Sequence, residues 1–446
     1  MTSVCGEGLS TLLYPNTVRL SLKPDKLRVV ARVSSARMQL KEFSLISHVI
    51  EPGTVLKALE TAIPSTAIEQ AIGKAKAGED RKRALPSHLV VCLIVAMSLW
   101  SSASMRTVLK NLVDGLSEAW VRVGKYWRVP CKSSITEARQ RVGSQVMTRL
   151  FHQVVRPLAT VETPGAFLGG LRVMAVDGTV FDVPDTLENA RVFGYPATRP
   201  GTQAAFPKVR LVLLIEAGTH LIVDALICPY RIGERVRVKK LLRSLIKGML
   251  LMWDRGLHSY VMVRATLAQK CDYLGRVPKN VKFPVEKVLE DGSYLSWIAP
   301  DGKSKKKGGT KIMVRVIEYT IDTNEEPQIY RLITSLTDIV TFPALLLATE
   351  YHCRWEVENT IDELKVHLLG RKTPIRSQNP REVVQEVYGW LLGHWAIRSL
   401  MFQVADHAQI SPLRLGFTGT LNVVRRAVPK FQRLQPEEIP FFSLGS

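Results

Sequence analysis

The chain has 446 residues, 46% of them hydrophobic, and a formal charge of +21. That length and apolar content exclude a disordered polymer and suggest two to four packed domains. The excess of Lys and Arg points to a polyanionic partner, nucleic acid ahead of an anionic membrane, because no long basic amphipathic helix or lipidation signal accompanies it.

Residues 1–40 are Ser- and Arg-rich but contain Glu7 and Asp25 and lack a continuous apolar segment, so they read as a poorly ordered basic arm and not a secretory signal. Residues 41–160 read as a helical, DNA-binding domain. Its apolar run HLVVCLIVAMSLW (88–100) is too short to span a bilayer and predicts a buried core helix. The segment SITEARQRVG (134–143) has Ser134 and Glu137 in capping-box spacing and Gly143 as a stop. It displays Arg139, Gln140 and Arg141, which could read a DNA groove or lie on a solvated surface. The six cysteines are scattered, without C-x-x-C pairs or zinc-ligand spacing, as in a cytoplasmic protein with reduced thiols.

Strand signals open in LRVMAVDGTVFDV (171–183) and continue in two strands joined at Gly218. A basic helix, ERVRVKKLLRSLIKGM, follows, and then a short strand, LLMW. Three strands, a helix and a strand predict an α/β domain over 161–446. Short strand-like runs between turns such as DGS, PDGKSKKKGG and DTNEE break the alternation and predict a β-rich insertion at about 275–338. A helix capped by Thr341, with Pro343 in its first turn, is expected to run to Gly370, followed by a long helix from Pro380 behind Asn379.

Asp177, before Gly178, and Asp254, before Arg255 and Gly256, are carboxylates carried out of apolar strands at Gly turns. In YHCRWEVENTIDELK (351–365), the offsets of Tyr351, Arg354, Glu358 and Lys365 place all four on one face of a helix. Three carboxylates brought together repel unless hard divalent cations sit among them, and two such ions about 3.5–4 Å apart could activate an oxygen nucleophile on a phosphodiester. Taken singly, Asp-Gly is a common turn and Glu358 a partner for Arg354; only the joint pattern raises an active site. Asp182, Asp185 and Asp224 are rival acids, two in an apparent Pro184 turn and one in mid-strand.

The spacing Y-x2-R-x3-E-x6-K, with VDGTVFDVPDT around Asp177 and WDRG around Asp254, resembles the DDE transposases of the insertion-sequence-four group, and the region from about 41 resembles that family's N-terminal domain. Leu257 stands where the family often has an aromatic residue. The resemblance implies a ribonuclease H-like α/β core interrupted by a β-rich insertion. It implies cutting of transposon ends and joining of their 3′ ends to target DNA, with two Mg²⁺ ions, Mn²⁺ substituting, in a homodimeric synapse. Asp177, Asp254 and Glu358 would hold metal. Tyr351, Arg354 and Lys365 would hold phosphates, and Trp297 of the insertion could stack on a base near the cut. A nuclease of the same fold without joining, and an inactive DNA-binding descendant, are the alternatives.

Overall fold

The computed structural model describes residues 19–23, 26–30, 52–81, 83–115, 128–197, 202, 204–321, 328–370 and 374–433. In chain order the strands and longer helices are β1 (Arg19–Lys23), β2 (Lys26–Val30), α1 (Pro52–Ala62), α2 (Ser65–Lys74), α3 (Ser87–Leu99), α4 (Met105–Gly115), α5 (Lys132–Val154), β3 (Phe167–Leu168), β4 (Leu171–Asp182), α6 (Leu187–Phe193), β5 (Lys208–Glu216) and β6 (Leu221–Pro229). They continue as α7 (Glu234–Leu241), β7 (Met249–Trp253), α8 (Tyr260–Ala268), β8 (Asp272–Arg276), β9 (Lys287–Val288), β10 (Tyr294–Ile298), α9 (Gly302–Lys306), β11 (Ile312–Ile321), β12 (Gln328–Thr334), α10 (Ala344–Cys353), α11 (Trp355–Asp362), a π-helical turn at Glu363–Leu368, α12 (Pro380–His407) and α13 (Phe417–Ala427).

The chain divides into two units, 48–273 with 353–446, and 1–47 with 274–352. In the first, β4 pairs antiparallel with β5, β5 antiparallel with β6, and β4 parallel with β7. The central residues of both strands, 173–176 of β4 and 211–215 of β5, are buried and apolar on both faces of the sheet. Asn379 caps α12, accepting a hydrogen bond from the Glu382 N–H at 3.0 Å, and most of that helix is buried.

The N-terminal helices pack closely on α12. α3 and α5 pack on α12, and Trp395 of α12 donates to the Ala62 carbonyl at 2.9 Å. Gly389 and Gly393 make this possible, since a side chain at either would strike Ile94 or Ser98 of α3. The apolar run 88–100 is the buried α3, as expected. Ser134 does not cap its helix, which begins one turn earlier behind Cys131, but Gly143 does stop it: its backbone is non-helical at φ 71°, and α5 is two helices joined at that kink.

In the second unit, β11 pairs with β12 and β10, residues 274–276 of β8 pair with β12, and the β1–β2 hairpin joins β11 through β2. The expected β-rich insertion is thus a sheet, and it is extended by residues of the N-terminal arm. Within that arm, Arg19–Lys23 and Lys26–Val30 pair as antiparallel strands. The KSKKK loop is a one-turn helix whose first turn is capped by Asp301, accepting from the Ser304 N–H at 2.7 Å. The DTNEE turn lies outside the described residues. The N-terminus of α10 is tied down by Asp291, which accepts from the Ala344 N–H at 2.8 Å and pairs with the buried Arg315.

Candidate active site

Asp177 sits within β4, opposite Leu213 of β5, and the strand continues to Asp182. The expectation of a turn at Asp177-Gly178 is corrected: backbone pairing with β5 carries the chain straight through the dipeptide. Gly178 has the Glu234 carboxylate packed over it. A Cβ there would lie 2.5 Å from the Glu234 carboxyl carbon.

Asp254 follows β7, as expected. Trp253 is buried and stacks on Tyr273 with ring centroids 5.2 Å apart, which fixes the strand end. The parallel register runs to Ala175 and Met252, and β7 ends one residue later at Trp253, so Asp254 leaves the sheet near enough to Asp177 to raise its carboxyl. Adjacent strands are about 4.8 Å apart. The Asp254 side chain is itself held by the Leu257 N–H at 3.2 Å. Leu257 is buried, filling its place as an aliphatic side chain.

The third acid comes from α11, which packs against β4. Glu358 is half-exposed, and Arg354 bridges it to Asp177: one guanidinium nitrogen lies 3.6 Å from Glu358 Oε1 and another 3.5 Å from Asp177 Oδ2. Burial pushes the Asp177 carboxyl above its ordinary range, and the nearby Asp254 and Glu358 add to the rise, against the Gly178 N–H and Arg354, which oppose it. Glu234, at the start of α7, is raised likewise by burial and by Asp177 and Asp254, with Arg210 at 3.6 Å as a counter-charge. It is an acid the sequence reading passed over. The available signal was a lone carboxylate directly after Gly233 in an otherwise basic segment.

Among the described residues, no group of three or more His, Cys, Asp or Glu side chains is gathered closely enough to hold a metal ion as arranged. The donor chemistry nevertheless fits one: hard carboxylate oxygens suit hard divalent cations, and Arg354 shows that a single cationic group can serve Asp177 and Glu358 together.

The remaining expected contacts divide. The Lys365 ammonium lies 5.7 Å from the ring centroid of Phe181, further along β4 from Asp177 and of the same side-chain parity. Tyr351 is 4% exposed and belongs to the second unit with Trp297, which is partly buried on β10 opposite Met313. Arg139 cannot read a groove. It is 1% exposed and bonded to Gln385 and Ser377 at 3.0 Å each. Gln140 is exposed, donating to Glu382 at 2.9 Å. The rival acids are engaged elsewhere: Asp182 with Lys208, Asp185 with Tyr195, and buried Asp224 with Ser244 and Arg243.

A mixed sheet with β5 and β6 antiparallel to β4 and β7 parallel to it, in so basic a chain, fits a ribonuclease H-like core. Residues 168–392 match the family described as Transposase DDE domain, and residues 54–152 match Insertion element 4 transposase N-terminal. The chain is 27% identical over 366 residues to the transposase InsG for insertion sequence element IS4 of Escherichia coli (strain K12), covering 81% of this chain and 80% of that protein. InsZ of the same strain is 27% identical over 231 residues, 52% of this chain and 73% of its own. A solved piggyBac transposase synaptic complex with hairpin DNA aligns over 88% of this chain and 83% of its own, with a TM-score of 0.47 and 11% identity. The chain belongs to the DDE transposase family, in its insertion-element-four group. It is a transposase, with DNA as its partner and cutting and joining of DNA as its general activity, and the domain implies dependence on divalent metal. No helix among the described residues is long and apolar enough to cross a membrane.

Proposed function

We propose that Asp177, Asp254 and Glu358 hold two divalent cations, Mg²⁺ with Mn²⁺ able to substitute, at the ends of a transposon. Such ions, when bound, activate an attacking oxygen and stabilise the leaving one. The protein's own part is placement. The first carboxylate lies on β4, the second just after β7, and Arg354 links the first to the third, on α11. That bridge is the observation that carries the reading. Hydrolysis frees a 3′-hydroxyl, which then displaces an oxygen of a target phosphodiester. Arg354 and Lys365 orient the phosphates, Arg354 as a fork and Lys365 as a point charge. Gln140, which is exposed, and Trp297, which is partly buried, are further contacts to DNA, whereas Tyr351 is too buried to be one. The working assembly is a homodimer on paired ends, acting in the bacterial cytoplasm on nucleoid DNA.

Separate Asp177→Ala, Asp254→Ala and Glu358→Ala substitutions are expected to abolish nicking of an end duplex in Mn²⁺ while mobility-shift binding persists. Ca²⁺ should support binding with little cutting, since its looser coordination holds an attacking oxygen poorly. Wild-type nicking by any one variant removes that residue from the site. Cut but unjoined ends from the wild-type chain with target supplied would favour a nuclease over a transferring enzyme.

A further inference from the structure

α7 begins at Glu234, whose carboxylate turns inward to Gly178 and Arg210, and its other charged side chains are all cationic. Between α7 and α8 lies an open groove of about 440 Å³. Lys239, Lys240 and Arg243 line it from the α7 side and Ala265, Ala268 and Gln269 from the α8 side, with no acidic residue among the lining. Lys239 and Lys240 are exposed. Arg243 is tethered to Asp224 at 3.2 Å, so its guanidinium is fixed beside the groove. The alanines leave the far wall low, which lets a bulky chain approach, and Gln269 offers an amide donor.

The groove also has a defined relation to the acids. α7 starts at the residue seated against Gly178, next to Asp177, and α8 begins six residues after Asp254. Arg235, one residue into α7, donates to the carbonyl of Gly256, in the turn that carries Asp254. A helix of 8 residues is about 12 Å long, the length over which one DNA strand presents three to four phosphates at about 3.4 Å of axis each.

We infer that the α7–α8 groove is a phosphate-backbone track, holding through Lys239 and Lys240 the duplex that continues away from the scissile phosphate. This rests on the proposed placement of the reacting DNA at Asp177, Asp254 and Glu358. A simpler account is that the two lysines only complement the C-terminal end of the α7 dipole, as exposed cations there do. The accounts differ in what DNA feels.

The test is a Lys239→Gln, Lys240→Gln double variant of the full chain, compared with wild type by fluorescence anisotropy across a potassium chloride series. One arm uses a transposon-end duplex and the other an unrelated target duplex presented to chain already loaded with pre-cut ends. Each lost phosphate contact should lower the slope of log K against log salt by about 0.9, so a fall of about 2 is expected in at least one arm. A fall in the first arm assigns the track to the element's own end, and a fall in the second to target DNA. Slopes unchanged in both arms, with the variant's melting transition unaltered, overturn the inference. Wild-type chain that binds end duplex no better than unrelated duplex would instead overturn the functional reading beneath it.

Discussion

At Asp177 the demands of folding and of chemistry conflict. Its carboxyl is raised above the ordinary 3.8, chiefly by burial. For a group so raised, the stabilising contribution is complete below about 3.8 and is lost as pH rises through the raised value. At neutral pH the ionised side chain therefore burdens the metal-free fold. Asp177→Asn is expected to raise the melting temperature of the metal-free chain at pH 7 and to narrow its gain as pH falls toward 4. Cutting should drop by at least about a hundredfold, the upper range for losing even an outer partner of a metal site. A lower melting temperature at pH 7 would show that the Arg354 pairing outweighs burial. The acid itself was legible in the sequence, but its setting was not. Asp-Gly is a turn signal locally, and only the pairing of Gly178 with Val212 and the approach of Glu234 from a distant segment override it.

The helix that carries Glu358 was legible as an element and misjudged in its course. Constant helical pitch would put Tyr351, Arg354, Glu358 and Lys365 on one face, yet the α-helix is interrupted for one residue at Arg354, whose backbone stays right-handed at φ −57° and ψ −20°, and then widens into a π turn, with the Leu369 N–H bonded to the Leu364 carbonyl at 3.0 Å. Arg354 and Glu358 do meet, whereas Tyr351 turns into the interior. The π turn opens at Glu363, which is buried and bonded to His220 at 3.2 Å, His394 at 3.0 Å and Arg398. Burial alone would raise that carboxyl, but the two histidines and the Arg398 charge hold it well below the usual range. Such a network is invisible in sequence because its members lie on three elements separated by up to 178 residues. Glu363→Gln leaves Arg398 buried without its counter-charge and should cost about 3–5 kcal/mol, read as a lower urea midpoint. The sign with pH is opposite to that of Asp177. With a depressed pKa, the contribution of Glu363 is present above the ordinary carboxylate value of 4.5 and lost as pH falls below it. An unchanged urea midpoint in Glu363→Gln at pH 7 would mean that Glu363 is not an anchor of the π turn.

For the molecule as a whole, the sheet of the first unit could be read from local pattern, because β4, β5 and β6 follow one another in sequence and pair in that order. The second unit could be read only in part. Its strands were visible, but the pairing of β2 with β11 spans nearly 300 residues, and no local signal announces it. Charge is the global property that composition did fix. At +21, two DNA-free chains approaching within a Debye length, about 10 Å at 0.1 M salt, repel one another, and duplex DNA is the natural neutraliser of that repulsion. The DNA-free chain is therefore expected to be monomeric at 0.1 M salt, and the pairing needed to hold two ends is expected to appear only when end duplex is added. Light scattering on the eluted species should give the mass of one chain alone, and that of two chains with two duplexes after end DNA is supplied. Because neutralisation drives the pairing, raising salt should release DNA and return single chains; a dimer that persists in high salt without DNA would show that an apolar contact between chains, not charge relief, builds the assembly.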